Sequence, residues 1–334
     1  MKRVLIRRTG GPEVLELAEV PEPVPGANDV VVQAESIGVG WPDILIRSGR
    51  YKWMPRLPAS PGSDLAGNVV KVGAQVDPAL LGRPVLVTAR ELHERGGCYA
   101  EQVCVPAHAI FEIPIGLPLE AAVCLPNYQV AWSLLHEVGS GRPVRSVFVN
   151  GVAGGVGSAV AQLAKAAGME VFGSVSSGER ARFAAAQGVD HVIDRTDGDV
   201  VEAVLARSSG RGVDLVVDHV GGAGFTRLIS MLAPWGTLVS YNASAGLPQE
   251  NLLGVLRDLG ARCLAIRIFE MHVYDHDRVN RRRTMDRVIE AWAKGLIVPI
   301  ICARLPLGQA RRAHEMVEAG AAMGKVVMKP SLGG

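Results

Sequence analysis

The stretch Val149-Asn150-Gly151-Val152-Ala153-Gly154-Gly155-Val156-Gly157 constrains this chain more than any other. The apolar run Ser146-Val147-Phe148-Val149 leads into it, and a small-residue helical pattern from Ser158 to Ala167 leads out. Strand, glycine-rich turn and helix in that order let backbone come close to a pyrophosphate. They also aim the unpaired N–H groups and the positive dipole end of the helix at it. A run of glycines alone is weak evidence; the strand before and the helix after give it meaning. The motif predicts a bound dinucleotide with Gly151, Ala153, Gly154, Gly155, Val156 and Gly157 around it, and redox chemistry as the function.

The alternation continues downstream. Strand 170–175 is followed by a helix from Gly178 to Gln187, strand 191–194 by a helix near 198–208, and strand 213–217 by a helix over 222–233; strand 236–241 closes the series. Repeated βα units imply a doubly wound parallel sheet with right-handed crossovers. Residues 1–120 read differently: they are rich in Val, Pro and Gly, with short strands at Asp29 to Ile37, Gly67 to Val72 and Pro84 to Val87. That is a mostly β domain. The tail carries a helix over 278–294, a strand near 299–301, a helix over 308–319 and a strand over 325–329. It is expected to return to the first domain, which makes the nucleotide-binding domain an insertion.

Composition narrows the class. The 334 residues are 48% hydrophobic and 20% charged, the profile of a soluble globular enzyme with room for two domains. A net charge of +2 argues against a general polyanion surface, and Arg281-Arg282-Arg283 reads as a solvated helix face. No apolar stretch reaches membrane-spanning length, and Met1-Lys2-Arg3 leads into a short strand, not a secretory signal. The five cysteines (Cys98, Cys104, Cys124, Cys263 and Cys302) are scattered with no Cys-x-x-Cys pair, which predicts free thiols in a reducing cytoplasm.

Several segments carry a resemblance. Ser36-Ile37-Gly38-Val39-Gly40-Trp41-Pro42-Asp43, Ile46-Arg47-Ser48-Gly49-Arg50-Tyr51, Pro61-Gly62-Ser63-Asp64-Leu65-Ala66-Gly67, Gly97-Cys98-Tyr99-Ala100-Glu101, the Gly151 to Gly157 turn and Gly324-Lys325-Val326-Val327 appear in that order. Together they resemble the quinone oxidoreductases of the medium-chain dehydrogenase/reductase superfamily, the zinc-free group that includes zeta-crystallin. The resemblance implies an α/β chain: a GroES-like β-rich catalytic domain over 1–122 and 270–334, and a Rossmann domain over 123–269. It also implies a homodimer paired through Rossmann edge strands near 236–241 and 262–267, where Leu264-Ala265-Ile266 is apolar.

The positions that hold zinc in the metal-dependent branch read Gly40, Ser63 and Pro126 here, with Cys124 a lone thiol nearby. The four-cysteine structural zinc lobe is also missing. The resemblance therefore implies a metal-free enzyme, and such an enzyme needs an acceptor that is already electrophilic. Quinones and α,β-unsaturated carbonyls qualify: hydride adds, and the developing oxyanion needs only hydrogen-bond donors or a nearby proton. The candidate donors are Tyr51, Tyr128 and Gln129, with Asn127 as a further polar group and Trp41 and Trp53 as walls for a planar substrate. Gly40, Val130 and Leu45 stand where the family usually has Asn, Thr and Tyr, which leaves the substrate open.

The cofactor's identity turns on the end of the second Rossmann strand, where an NAD enzyme places an acid on the ribose hydroxyl. Here Ser174-Val175-Ser176-Ser177 carries none; the resemblance sets Arg180 where family members have the lysine that contacts the 2′-phosphate, and Arg195 where many of them have a tyrosine. NADPH is the expected cofactor, because an arginine fork suits phosphate. Ser176, Asp218, Asn242 and Lys325 complete the expected contacts. His219 beside Asp218 is given no chemistry. Two other readings stay open: an enoyl-thioester reductase, and a non-catalytic NADPH-binding protein with a structural, regulatory or RNA-binding role.

Overall fold

The structure is a computed structural model that describes residues 1–138 and 141–332. The chain forms two compact units: residues 1–126 with 299–334, and residues 127–298. The return to the first unit therefore falls near 299, not 270. The helix Arg278–Ala293 explains the difference, because its bonds go to the second unit. Gln129 Nε2 donates to the Arg281 carbonyl at 2.8 Å, and Thr284 Oγ1 donates to Glu137 Oε1 at 3.4 Å.

The second unit holds a six-stranded parallel sheet. Its spatial order is His191–Asp194, Glu170–Val175, Ser146–Val149, Val213–Asp218, Leu232–Ser240, Ala265–Ile268. The first strand in sequence is central and the order reverses beside it, which is the switch point of a doubly wound fold. All four residues of Ser146–Val149 are buried, as suits a strand covered on both faces. Phe148, Phe172, Val216 and Leu238 pack in the core cluster of this unit. One expected helix is not there. Residues 222–233 form two 3₁₀ stretches, Gly222–Gly224 and Thr226–Met231, and then enter the strand Leu232–Ser240. Gly221 and Gly222 both have positive φ (67° and 68°), which an α-helix cannot include.

In the first unit Asp29–Val39 is the longest strand, at 11 residues. It pairs antiparallel with Asp64–Val72, Gln102–Pro106 and Lys325–Lys329. The carboxyl-terminal strand thus closes a sheet begun near the amino terminus. Between strands lies the helix Trp41–Ser48, opened by Gly40, whose N–H is taken by the Asp43 carboxylate at 2.8 Å. It is tied to the helix Ala310–Glu318 by Arg47, which is 2% exposed and bidentate to Glu318 at 2.8 and 2.6 Å. Arg47→Met should lower the unfolding free energy by about 2–3 kcal/mol, below the usual figure for a broken buried pair because Glu318 is partly exposed and rehydrates. Urea unfolding checks this; a loss below about 0.5 kcal/mol would mean the pair adds little.

Candidate active site

The glycine turn is built by its neighbours. Gly151 adopts φ +74°, and a Cβ there would lie 2.7 Å from the His219 ring. At Gly157 a Cβ would meet the carbonyls of Gly151 and Val152, each at 2.8 Å. Gly173 on the adjoining strand does the same service, since a Cβ there would fall 2.6 Å from Val152 Cγ1. Glycine at these positions lets turn, helix and second strand close on one another.

The helix Gly155–Ala166 that follows begins at Gly154 with no side chain capping it. Its first N–H groups stay available to an anion, with the positive end of the helix dipole behind them. Gly155, Val156 and Gly157 lie in this first turn and Ala153 just before it.

A polar network fixes the turn from below. Ser174 Oγ accepts the Gly151 N–H at 3.0 Å and donates to Asn150 Oδ1 at 2.8 Å. Asn150 Nδ2 donates to Asp218 Oδ1 at 2.7 Å. Asp218, with no exposed surface, also accepts the N–H groups of Val220 and Gly221, at 3.3 and 2.9 Å. The Asp218 carboxylate, expected at the cofactor edge, thus braces two strand ends. Asn150 and Ser174 do comparable work. Their signal in the sequence is faint, since neither is charged and each lies at a strand end.

Gly151, Ala153, Ser174, Val175, Ser176, Arg180 and Arg195 line one pocket beside the turn. Arg180 lies in the helix Gly178–Ala186, whose first turn is capped by Ser177 Oγ accepting the Arg180 N–H at 3.4 Å. Arg195 follows the strand His191–Asp194, held there by its N–H to the Val175 carbonyl at 3.0 Å. The pocket therefore has two guanidinium groups and serine hydroxyls in its lining, and no carboxylate. Asn242 lies past the end of the strand Leu232–Ser240 and outside this lining; its side chain accepts the Ala243 N–H at 2.9 Å.

The expected donors fare unequally. Tyr128 is buried, and its hydroxyl lies 3.0 Å from Gln162 Oε1 and 3.1 Å from the Val298 carbonyl. Gln129, 1% exposed, is bonded to the Arg281 carbonyl. Both sets of bonds lie within the second unit. Lys325, expected at the cofactor, is buried, and its Nζ donates to Asp64 Oδ2 at 3.1 Å. Tyr51 remains a candidate. It is half-buried at the edge of the first unit's core, its ring 5.7 Å from that of Trp53.

The comparisons with known proteins cover both units. The pattern of the alcohol dehydrogenase GroES-like domain matches residues 26–115, and that of the zinc-binding dehydrogenases matches residues 155–287. The quinone oxidoreductase of Pseudomonas aeruginosa is 31% identical over 331 residues, 98% of this chain and 99% of its own. The chain belongs to the zinc-free quinone oxidoreductases of the medium-chain dehydrogenase/reductase superfamily. Its likeness to that family extends to structure: the Escherichia coli quinone oxidoreductase crystallised with NADPH aligns at a TM-score of 0.87 and 29% identity, over 99% of this chain and 100% of that one. The rat synaptic vesicle membrane protein VAT-1 homolog is also 30% identical, over 96% of this chain and 82% of its own.

As a quinone oxidoreductase of this branch, the chain carries Gly40, Ser63 and Pro126 at the positions discussed above, none of which offers a zinc ligand. Among the described residues, no three His, Cys, Asp or Glu side chains are grouped to hold a metal, and no helix is long and apolar enough to cross a membrane.

Proposed function

We propose that this oxidoreductase takes NADPH and delivers its hydride to a quinone or to the activated C=C of an enone or enal. The observation that carries the reading is the pocket lined by Ser176, Arg180 and Arg195, beside an uncapped helix end and without a carboxylate. A 2′-phosphate fits two guanidinium forks, whereas a free ribose hydroxyl would ask for an acid. The NADPH bound to the Escherichia coli relative supports the same choice.

When bound, the dinucleotide supplies hydride. The chain's own part is to hold it: Gly151 and Gly157 admit the pyrophosphate to the backbone, the Gly155–Ala166 helix end faces its charge, and Arg180 and Arg195 fix the far phosphate. Tyr51 is the candidate side chain for orienting an acceptor oxygen. We also infer a homodimer, because Ala265–Ile268 is an edge strand and Ile268 is 75% exposed. Light scattering showing a monomer at micromolar concentration would remove that inference.

The test is the initial rate of NADPH oxidation, with NADH in parallel, against quinones, small enones and an enoyl thioester. Turnover of quinones or enones with NADPH preferred supports the proposal. Turnover confined to the thioester would replace the substrate class, and tight NADPH binding without turnover on any acceptor would point to a non-catalytic role.

A further inference from the structure

The chain has seven asparagines, and Asn150 is the only one followed by glycine. That dipeptide is the one most prone to close on itself, because no Cβ on the second residue shields its backbone nitrogen. The Gly151 nitrogen attacks Asn150 Cγ and gives up its proton, the side-chain amide leaves as ammonia, and a cyclic imide forms. Water then opens the imide at one carbonyl or the other. The net change is water in and ammonia out, and no oxidant takes part. The product is an aspartate, or an isoaspartate whose backbone runs on through Cβ and Cγ.

The fold sets this dipeptide at the entrance of the glycine turn and half-buries it. One side chain engages both reacting groups. Ser174, 1% exposed, accepts the Gly151 N–H on its Oγ at 3.0 Å and donates its own hydrogen to Asn150 Oδ1 at 2.8 Å. Asn150 Nδ2 donates to Asp218 Oδ1 at 2.7 Å, and the Asn150 N–H to the Val217 carbonyl at 3.0 Å. For the ring to close, the Gly151 nitrogen must come away from Ser174 Oγ and lose its proton. The Asn150 amide must also turn its face to that nitrogen, which breaks its bonds to Ser174 and Asp218.

Closure would spoil the turn in either product. A new carboxylate would stand where the Asn150 amide now donates to Asp218, which has no exposed surface. Two carboxylates that close, with no donor between them, repel. The isoaspartate also adds a backbone atom directly before Gly151, whose φ of +74° shapes the turn.

We propose that Asn150-Gly151 is a self-modification site, that Ser174 holds it shut, and that its conversion ends dinucleotide binding at the turn. The last clause rests on the dinucleotide reading above; the first two do not. Conversion goes through local opening of the turn, so its rate follows how often the Ser174 bonds break.

The test ages the full chain in mildly alkaline buffer and follows the peptide carrying residue 150 by mass spectrometry, with chromatography to separate aspartate from isoaspartate. The same chain in urea and the variant Ser174→Ala run beside it. The folded wild type should convert at least about 100-fold more slowly than the unfolded chain. Ser174→Ala should lose at least about tenfold of that protection, the scale of two lost hydrogen bonds. Should Ser174→Ala not fold, hydrogen exchange in the wild type decides: the Gly151 amide should be slowed about as much as the conversion, since the same bond breaks first. A Gly151 amide that exchanges at the unfolded rate, a folded Ser174→Ala that ages like wild type, or a folded wild type that ages like the unfolded chain overturns the proposal. Converted protein, separated by its added negative charge, should bind NADPH at least about tenfold more weakly than unaged protein in equilibrium titration. Equal affinity overturns the last clause. Unaged protein that binds neither NADPH nor NADH overturns the dinucleotide reading and that clause with it, while the ageing rates decide the other two.

Discussion

Arg180→Glu should weaken NADPH binding by roughly 100-fold and leave NADH binding within about threefold, because a charge-assisted contact contributes about 3 kcal/mol and only NADPH presents the phosphate that makes it. Arg180 lines the pocket with Ser176 and Arg195, next to the turn residues Gly151 and Ala153. The substitution reverses a charge in that lining and also supplies the acid that an NAD-preferring site uses on a ribose hydroxyl. Equilibrium titration with both dinucleotides measures the effect. Equal weakening of the two would take the 2′-phosphate away from Arg180 and leave the residue as a helix-surface charge.

Gly157→Ala should abolish measurable dinucleotide binding and lower the unfolding free energy by about 1–3 kcal/mol, the usual cost of overpacking. The new Cβ would lie 2.8 Å from two carbonyl oxygens and 2.9 Å from Val152 Cα. All three are backbone, so nothing swings aside. The helix must back away from the turn, and its N–H groups leave the place where a pyrophosphate would sit. Gly224→Ala is the control, since a Cβ there meets nothing within 4 Å. Calorimetric titration and thermal unfolding of both variants decide the matter. Binding within about threefold of wild type in Gly157→Ala would show that the turn has more slack than this geometry allows.

The order of elements was legible because it rests on local rules. The strand Glu170–Val175 and the helix after it follow from an apolar run and a serine cap, Ser177. The helix expected over 222–233 failed where local rules compete. Its apolar residues suit a helix, but Gly221 and Gly222 set the backbone otherwise, and Leu232 and Ala233 gain more by joining the sheet. The domain boundary near 299 was hidden for a different reason: a surface helix such as Arg278–Ala293 has one apolar stripe, and the stripe does not say which unit it covers.

The site divides along the same line. The sequence by itself determined the glycine turn, the absence of an acid after the second strand, and the arginines that follow it. Each is a matter of residue type at a short, fixed spacing. Only the tertiary structure decided which polar side chains remain for a ligand. Tyr128 is claimed by a carbonyl 170 residues away, Gln129 by one 152 residues away, and Lys325 by an aspartate 261 residues away. Asp218 is claimed by Asn150 across 68 residues, and Asp43 by Tyr99 across 56. A buried polar group must find a partner, and the partner is whichever group the fold brings near. That choice is made in space, where spacing along the chain carries no information.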